Sequence, residues 1–303
     1  MEARAASPAP YLGQVEPGVA GRTETTADQL DRSKAEFEVE GAALLAATAN
    51  VVMQLARPEV GYAVVESTVE HAQVMRHPVR RWRTTVTYLA AALMGGPAER
   101  EACRRLVDHS HGPVRSTPGS PVSYTAFDPE LQLWITACLY RGMTDVHTLL
   151  HGPAGDQTAD ALYRAASRFG TTLQMPQDAW PRDREAFDSY WNAALTRIRI
   201  DPPVRAYLEQ LIRLEYLPRP VGAALSPLNQ FLTTGFLPAP FRELMDLPWH
   251  ERDQRAFATL MRVIAAVSRL LPGPARQFPF NACLAALRAR NRWDAATRAP
   301  RAG

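Results

Sequence analysis

Prolines cut this chain into lengths that suit helices. There are 25 of them in 303 residues, and the apolar positions between them recur at helical rather than alternating spacing. Proline lacks the amide hydrogen that a helix interior or a central strand requires. It is tolerated in the first turn of a helix and expelled from a β-ladder. Asp128-Pro129 and Asp201-Pro202-Pro203 therefore read as helix starts, Asp128 as an N-cap with Pro129 at the first helical position. Pro58 ends or kinks an almost wholly apolar helix expected from about Glu40 to Arg57, and a further helix is expected from Val60 to Arg76. Strand-length runs of Val, Ile and Thr with period two are almost absent. The expectation is an all-α fold, a single multi-helix domain of about ten helices.

Residues 1–28, rich in Ala, Pro, Gly, Glu and Thr without periodicity, read as a flexible arm. The helical domain is expected over residues 29–290, with a looser, proline-punctuated stretch from Pro218 to Pro240 and a last strong helix from Glu251 to Leu271. Residues 291–303 read as a frayed tail.

Composition excludes several function classes. Lys34 is the only lysine, which removes Schiff-base and P-loop lysine chemistry from the body of the chain. The net charge is only +3 and the arginines are interleaved with acids, so no nucleic-acid partner is expected. The glycine-rich phosphate loops and the nucleophile elbow are absent. Cys103, Cys138 and Cys283 are widely spaced in apolar helical contexts and read as free thiols of a reducing compartment. With no apolar leader segment at the N-terminus, the expected location is cytoplasmic. The longest apolar run, Gly41 to Ala56, is broken by Thr48, Asn50 and Gln54 and falls short of the ~20 residues of a membrane span, so no transmembrane segment is expected.

The stretch from His77 to Tyr124 concentrates the chemistry. Two helices are implied, one on each side of Gly95-Gly96. On the first, Arg81, Thr85 and Tyr88 follow one another at spacings of four and three and share a face. The second ends at His111, just before Gly112-Pro113. Other metal chemistries fit poorly. His147-Thr148-Leu149-Leu150-His151 has a zinc-like spacing without the glutamate of HExxH, and two polar residues near a helix end account for it better. No histidine has a glutamate three residues before it, as a carboxylate-bridged di-iron site requires. Cys283 lacks the glycine-flanked loop of a thiolate-ligated haem. Two readings of the central stretch remain. His111 is either the iron ligand of a haem faced by Arg81 and Thr85, or a helix-terminal histidine that complements the helix dipole. Arg81 reads equally as a surface ion-pair partner.

The pattern as a whole resembles the MpaB-like oxygenases, the superfamily that includes latex-clearing protein. The residues that carry the resemblance are Pro78, Arg81, Thr85, Tyr88, Gly95-Gly96-Pro97-Ala98-Glu99, Val107, His111 and Val114. Downstream they are Tyr124, Asp128-Pro129, Trp134, Met175-Pro176, Tyr190-Trp191, Thr233 to Pro238, Arg242 and Trp249. The resemblance covers about residues 35–280. It implies a haem b (iron) protein with a distantly globin-like core, His111 as axial ligand, and Arg81, Thr85 and Tyr88 beside the cofactor. It makes Glu66 the nearest candidate for the family's catalytic glutamate, alongside Arg81 and Thr85 as catalytic residues. Thr84 stands where latex-clearing proteins have a lysine. The implied activity is an oxygenase of secondary metabolism, with O₂ and an electron donor as its implied partners. The implied substrate is a small apolar molecule, an isoprenoid or natural-product intermediate. The apolar helices around Leu44 to Leu55 and Leu131 to Leu139 are expected to line its pocket. The alternatives are a haem-dependent oxidase, peroxidase or desaturase that inserts no oxygen, and a non-enzymatic carrier of an apolar ligand.

Overall fold

The computed structural model describes residues 39–69 and 73–298, with side chains described as far as residue 293. The expected arm at 1–28 and the last residues of the expected tail lie outside the described residues. Within them all regular structure is helical, apart from one isolated antiparallel bridge between Arg115 and Thr125. No described helix is long and apolar enough to cross a membrane.

A short 3-10 turn, Gly41–Ala46, leads into α1 (Ala47–Leu55) and α2 (Pro58–Val65). α3 (Pro78–Met94) and α4 (Pro97–His111) form a hairpin closed by Gly95 and Gly96. A β-carbon on Gly95 would lie 2.5 Å from the Ala91 carbonyl oxygen, so the tight exit from α3 needs glycine there. Glu99 closes the entry to α4 by accepting the Gly96 amide at 2.8 Å, and its other oxygen accepts from Arg288 at 2.9 Å. α5 (Pro129–His151) begins as expected: the Asp128 carboxylate accepts the amides of Glu130 and Leu131 at 2.8 and 3.4 Å. Then follow α6 (Asp156–Thr171), α7 (Arg184–Leu195), α8 (Pro202–Ile212), α9 (Arg219–Phe236), α10 (Ala239–Leu244), α11 (Glu251–Leu270), α12 (Gly273–Arg276) and α13 (Phe280–Arg298).

α5 is the central post. Its buried residues, among them Leu131, Trp134, Cys138, Tyr140, Val146 and Leu150, point in all directions around the helix. It packs on α6 along much of its length, and also on α1 and α11. Trp134 is fully buried, stacks on Trp191 at 5.3 Å between ring centres, and donates its indole hydrogen to the Gln54 carbonyl at 3.0 Å. α1 crosses α5 closely because Gly142 lacks a side chain. There Asn50 Nδ2 donates to the Cys138 carbonyl at 2.7 Å. A smaller cluster seats α3 on α13, where Val86, Ala90 and Ala91 meet Phe280, Leu284 and Leu287.

Four expectations change. The apolar helix at 40–57 is a 3-10 turn followed by α1. The helix expected to run to Arg76 stops at Val65, because the chain turns on local bonds: Gln73 Nε2 donates to the Ser67 carbonyl at 2.7 Å and the Val69 amide donates to Ser67 Oγ at 3.3 Å. The stretch expected to be loose from Pro218 is mostly α9, with Pro227 inside it. Pro227 and Ala223, the residue whose carbonyl it cannot serve, are both exposed, so water takes the missing partner's place. At the C-terminus α13 continues to Arg298, past the point where fraying was expected.

A β-carbon at Gly142 would sit 2.4 Å from Asn50 Nδ2. Gly142→Ala is expected to break the bond to the Cys138 carbonyl and to cost about 1–3 kcal/mol of stability. Chemical denaturation checks this, and an unchanged midpoint would show that the α1–α5 crossing is not set by this glycine.

Candidate functional site

The α3–α4 hairpin builds the site. The C-terminal half of α3 is buried through Val86, Ala90, Ala91, Ala92 and Leu93, which anchors the helix. Its N-terminal half stands clear of the core and carries Arg81 and Thr85 one turn apart. The Arg81 side chain is open to solvent, yet protein surrounds it densely enough that desolvation lowers its pKa, with Tyr207 of α8 acting in the opposite sense. Both observations hold together for a side chain on the wall of a cleft. Among the described residues Thr85 makes no side-chain hydrogen bond, so its hydroxyl is available there. Thr84 turns away and donates to the Arg81 carbonyl at 2.9 Å.

His111 closes α4 and is partly buried. Its Nδ1 is buried without a hydrogen-bond partner. Phe127 packs edge-on to the ring at 6.3 Å between centres. Burial holds the imidazole below the ordinary histidine pKa and the positive charge of Arg81 lowers it further, while hydrogen bonding with Gln174 and the charge of Asp108 act in the other direction. The sign places Arg81 and His111 within electrostatic reach of each other. A guanidinium beside an imidazole favours the neutral ring, the form whose lone pair can bind a metal.

Gln174 was not among the residues picked from the sequence. Its amide donates to Asp108, and its carbonyl oxygen accepts from Gln132 Nε2 at 2.7 Å; the same Gln132 nitrogen donates to the Ala126 carbonyl at 2.9 Å. Asp108 lies one turn before His111 on α4, so this relay ties the end of α4 to the start of α5. The only signal in its vicinity is the following Met175-Pro176 pair.

The other two expected residues sit differently. Glu66, just after α2, accepts from Tyr124 Oη at 2.7 Å and from Ser120 Oγ at 2.6 Å. Both donors belong to the loop that runs from His111 back to α5. Burial, and then the Glu66 carboxylate, push the Tyr124 phenol up to about 12. The hydrogen bonds of Glu66 thus go to this loop and not to Arg81 or His111. Tyr88 is partly buried, and its hydroxyl donates to the Phe169 carbonyl at 2.5 Å, fastening α3 to α6. Burial raises its pKa. Arg81 and Thr85 thus lie one turn apart on the exposed half of α3, His111 ends α4 within electrostatic reach of Arg81, and Glu66 and Tyr88 are engaged in the frame around them.

Parts of the two apolar helices border a cavity, away from the residues expected to share it. Leu44, Asn50 and Leu139 border a cavity of about 120 Å³ between α1, α3, α5 and α6. None of Arg81, Thr85 and His111 lines it.

Residues 36–266 match the family model described as "ER-bound oxygenase mpaB/B'/Rubber oxygenase, catalytic domain". The chain belongs to this oxygenase family. An uncharacterized protein of Mycobacterium tuberculosis is 49% identical to it over 249 residues, covering 82% of this chain and 98% of the relative. An uncharacterized protein of Mycobacterium bovis matches to the same extent. The structure of latex clearing protein in its closed state superimposes with a TM-score of 0.53 at 17% identity, over 86% of this chain and 71% of that one. At that identity the likeness shows the shared all-α fold. Membership of the mpaB and rubber oxygenase family supports an oxygenase-like activity, and the matched region contains Arg81, Thr85 and His111.

Proton NMR should find the His111 ring titrating below the ~6.5 of an unperturbed histidine. Arg81→Ala removes a cation that disfavours protonation, so the His111 pKa should rise. A value that stays put or falls would contradict the placement of the guanidinium.

Proposed function

We propose that this protein is a haem b-dependent oxygenase that acts with O₂ on a small apolar substrate, an isoprenoid or a natural-product intermediate, with electrons from a separate donor. The observation that carries the reading is His111: a neutral imidazole at a helix end, with a buried nitrogen that no protein group satisfies, opposite an arginine in an oxygenase-family chain. Native proteins rarely leave a buried ring nitrogen without a partner, and such an atom calls for a functional account. A haem iron ligand needs that neutral, oriented imidazole, so the residues present fit the group.

When bound, haem supplies the redox chemistry with O₂. The chain's own residues do the rest. His111 would hold the iron, and the Gln132–Gln174–Asp108 relay restrains the end of α4 that carries it. Arg81 would supply a fixed positive charge beside the group, either for an anionic edge of the cofactor or for negative charge that the reaction develops. Thr85 offers a hydroxyl one turn away. Glu66 takes the part of a positioning residue: through Tyr124 and Ser120 it pins the loop that follows His111. Tyr88 acts in the same sense by locking α3 to α6.

Purified protein from haem-supplemented cells should show a Soret band that shifts on reduction and again with CO. His111→Ala should lose the haem, and full occupancy with an unchanged spectrum would reject this ligand. Incorporation of heavy-isotope O₂ into product distinguishes an oxygenase from an oxidase or desaturase, and the absence of label would favour the latter.

A further inference from the structure

The His147–His151 pair has no part in the cleft of Arg81 and His111. Both histidines, with Glu40, border the apolar cavity between α1, α3, α5 and α6. The cavity wall is otherwise aliphatic and aromatic, with Leu93, Met143 and Phe169 among its residues. Its volume of about 120 Å³ compares with the ~150 Å³ apolar cavity that stays dry and binds benzene. It therefore suits an apolar group of about six non-hydrogen atoms.

The polar groups on the wall select the ligand's chemistry. Glu40 is buried and both its oxygens are engaged: one accepts from His151 Nε2 at 3.0 Å, the other from Ser268 Oγ at 2.6 Å. Asn50 is engaged too, donating to the Cys138 carbonyl at 2.7 Å and accepting from Gln54 at 2.6 Å. The His147 ring stacks at a tilt against His151, 5.0 Å between centres, and among the described residues no hydrogen bond engages it. A neutral imidazole offers one donor and one acceptor, the complement of a hydroxyl. A carboxylate would instead meet the buried Glu40 carboxylate, an unfavourable pairing of like charges. A pure hydrocarbon would fill the cavity without using the half-buried His147 ring.

We propose that this cavity is a ligand site separate from the Arg81–His111 cleft, and that it takes a small apolar molecule ending in a hydroxyl. The hydrocarbon part lies among Leu93, Met143 and Phe169, and the hydroxyl pairs with His147. None of Arg81, Thr85 and His111 lines the cavity, and Tyr88 links its wall to α3 by donating to the carbonyl of Phe169. The assignment does not rest on haem.

The probe is benzyl alcohol, with toluene and benzoate as comparators, titrated calorimetrically into the purified full chain. One equivalent of benzyl alcohol is expected to bind, about tenfold or more tighter than benzoate and severalfold tighter than toluene. Ala43→Leu, which fills the cavity, should abolish binding of both alcohol and toluene. His147→Leu should remove the preference for the alcohol while toluene still binds. Arg81→Ala, in the other cleft, should leave benzyl alcohol binding unchanged. Should Ala43→Leu fail to fold, nuclear Overhauser contacts from the aromatic protons of benzyl alcohol to the Met143 methyl in the unaltered protein decide the location. No binding, binding that survives Ala43→Leu in a folded variant, loss of binding in Arg81→Ala, or equal affinity for alcohol and benzoate would each overturn the proposal.

Discussion

α5 presents buried side chains around its whole circumference, so the fold must surround it, and most of the buried polar groups along it are satisfied from within, Gln132 Oε1 and Arg141 Nε excepted. The satisfied groups are visible. The Trp134 indole donates to Gln54, the Cys138 carbonyl accepts from Asn50, and the Thr136 hydroxyl donates one turn back to Gln132 at 2.8 Å. The two ends of the same helix then serve two places. At its start Gln132 opens the relay to Gln174 and Asp108 that steadies the end of α4. At its finish His147 and His151 border the apolar cavity with Glu40. A central helix held this rigidly gives both places a common reference frame.

Arg81 and His111 influence each other through charge and desolvation rather than through contact. Arg81 and His111 are not hydrogen-bonded to each other, yet the cation lowers the imidazole pKa across the space between α3 and α4. Partial burial makes that influence larger than it would be in open water, because the field is less screened. The arrangement carries a stability cost, since His111 Nδ1 is buried without a partner. Such local costs gather where a site must present an unsatisfied group to something outside the protein. The groups that satisfy one another within the protein, Glu66 with Tyr124 and Tyr88 with Phe169, form the surrounding frame.

Much of the helical architecture was legible, and the exceptions share a cause. The starts of α5 and α8 follow from Asp-Pro pairs, and the break between α3 and α4 from Gly95-Gly96. Pro227 misled because a proline rule assumes a carbonyl that must find a partner inside the helix, whereas this one faces water. The stop at Val65 was missed because Ser67 and Gln73 capture backbone groups that the apolar pattern assigns to a helix. The turn between Arg81 and Thr85 and the place of His111 at the end of α4 were legible from spacing, but the cradle around His111 was not. Gln174 meets Asp108 across 66 residues, and no periodicity marks either.

The sequence by itself determined the all-α class, most helix ends, the shared face of Arg81, Thr85 and Tyr88, and the place of His111 at the end of a helix. These depend on interactions within a turn or two, where backbone geometry and the missing proline amide leave few choices. Only the tertiary structure decided that Glu66 and Tyr88 belong to the frame, that Gln174 attends His111, and that Glu40 joins His151 to Ser268 across 228 residues. Those meetings are set by how helices cross and which side chains interlock at the crossings. That is a property of the packed core as a whole, and no local pattern encodes it.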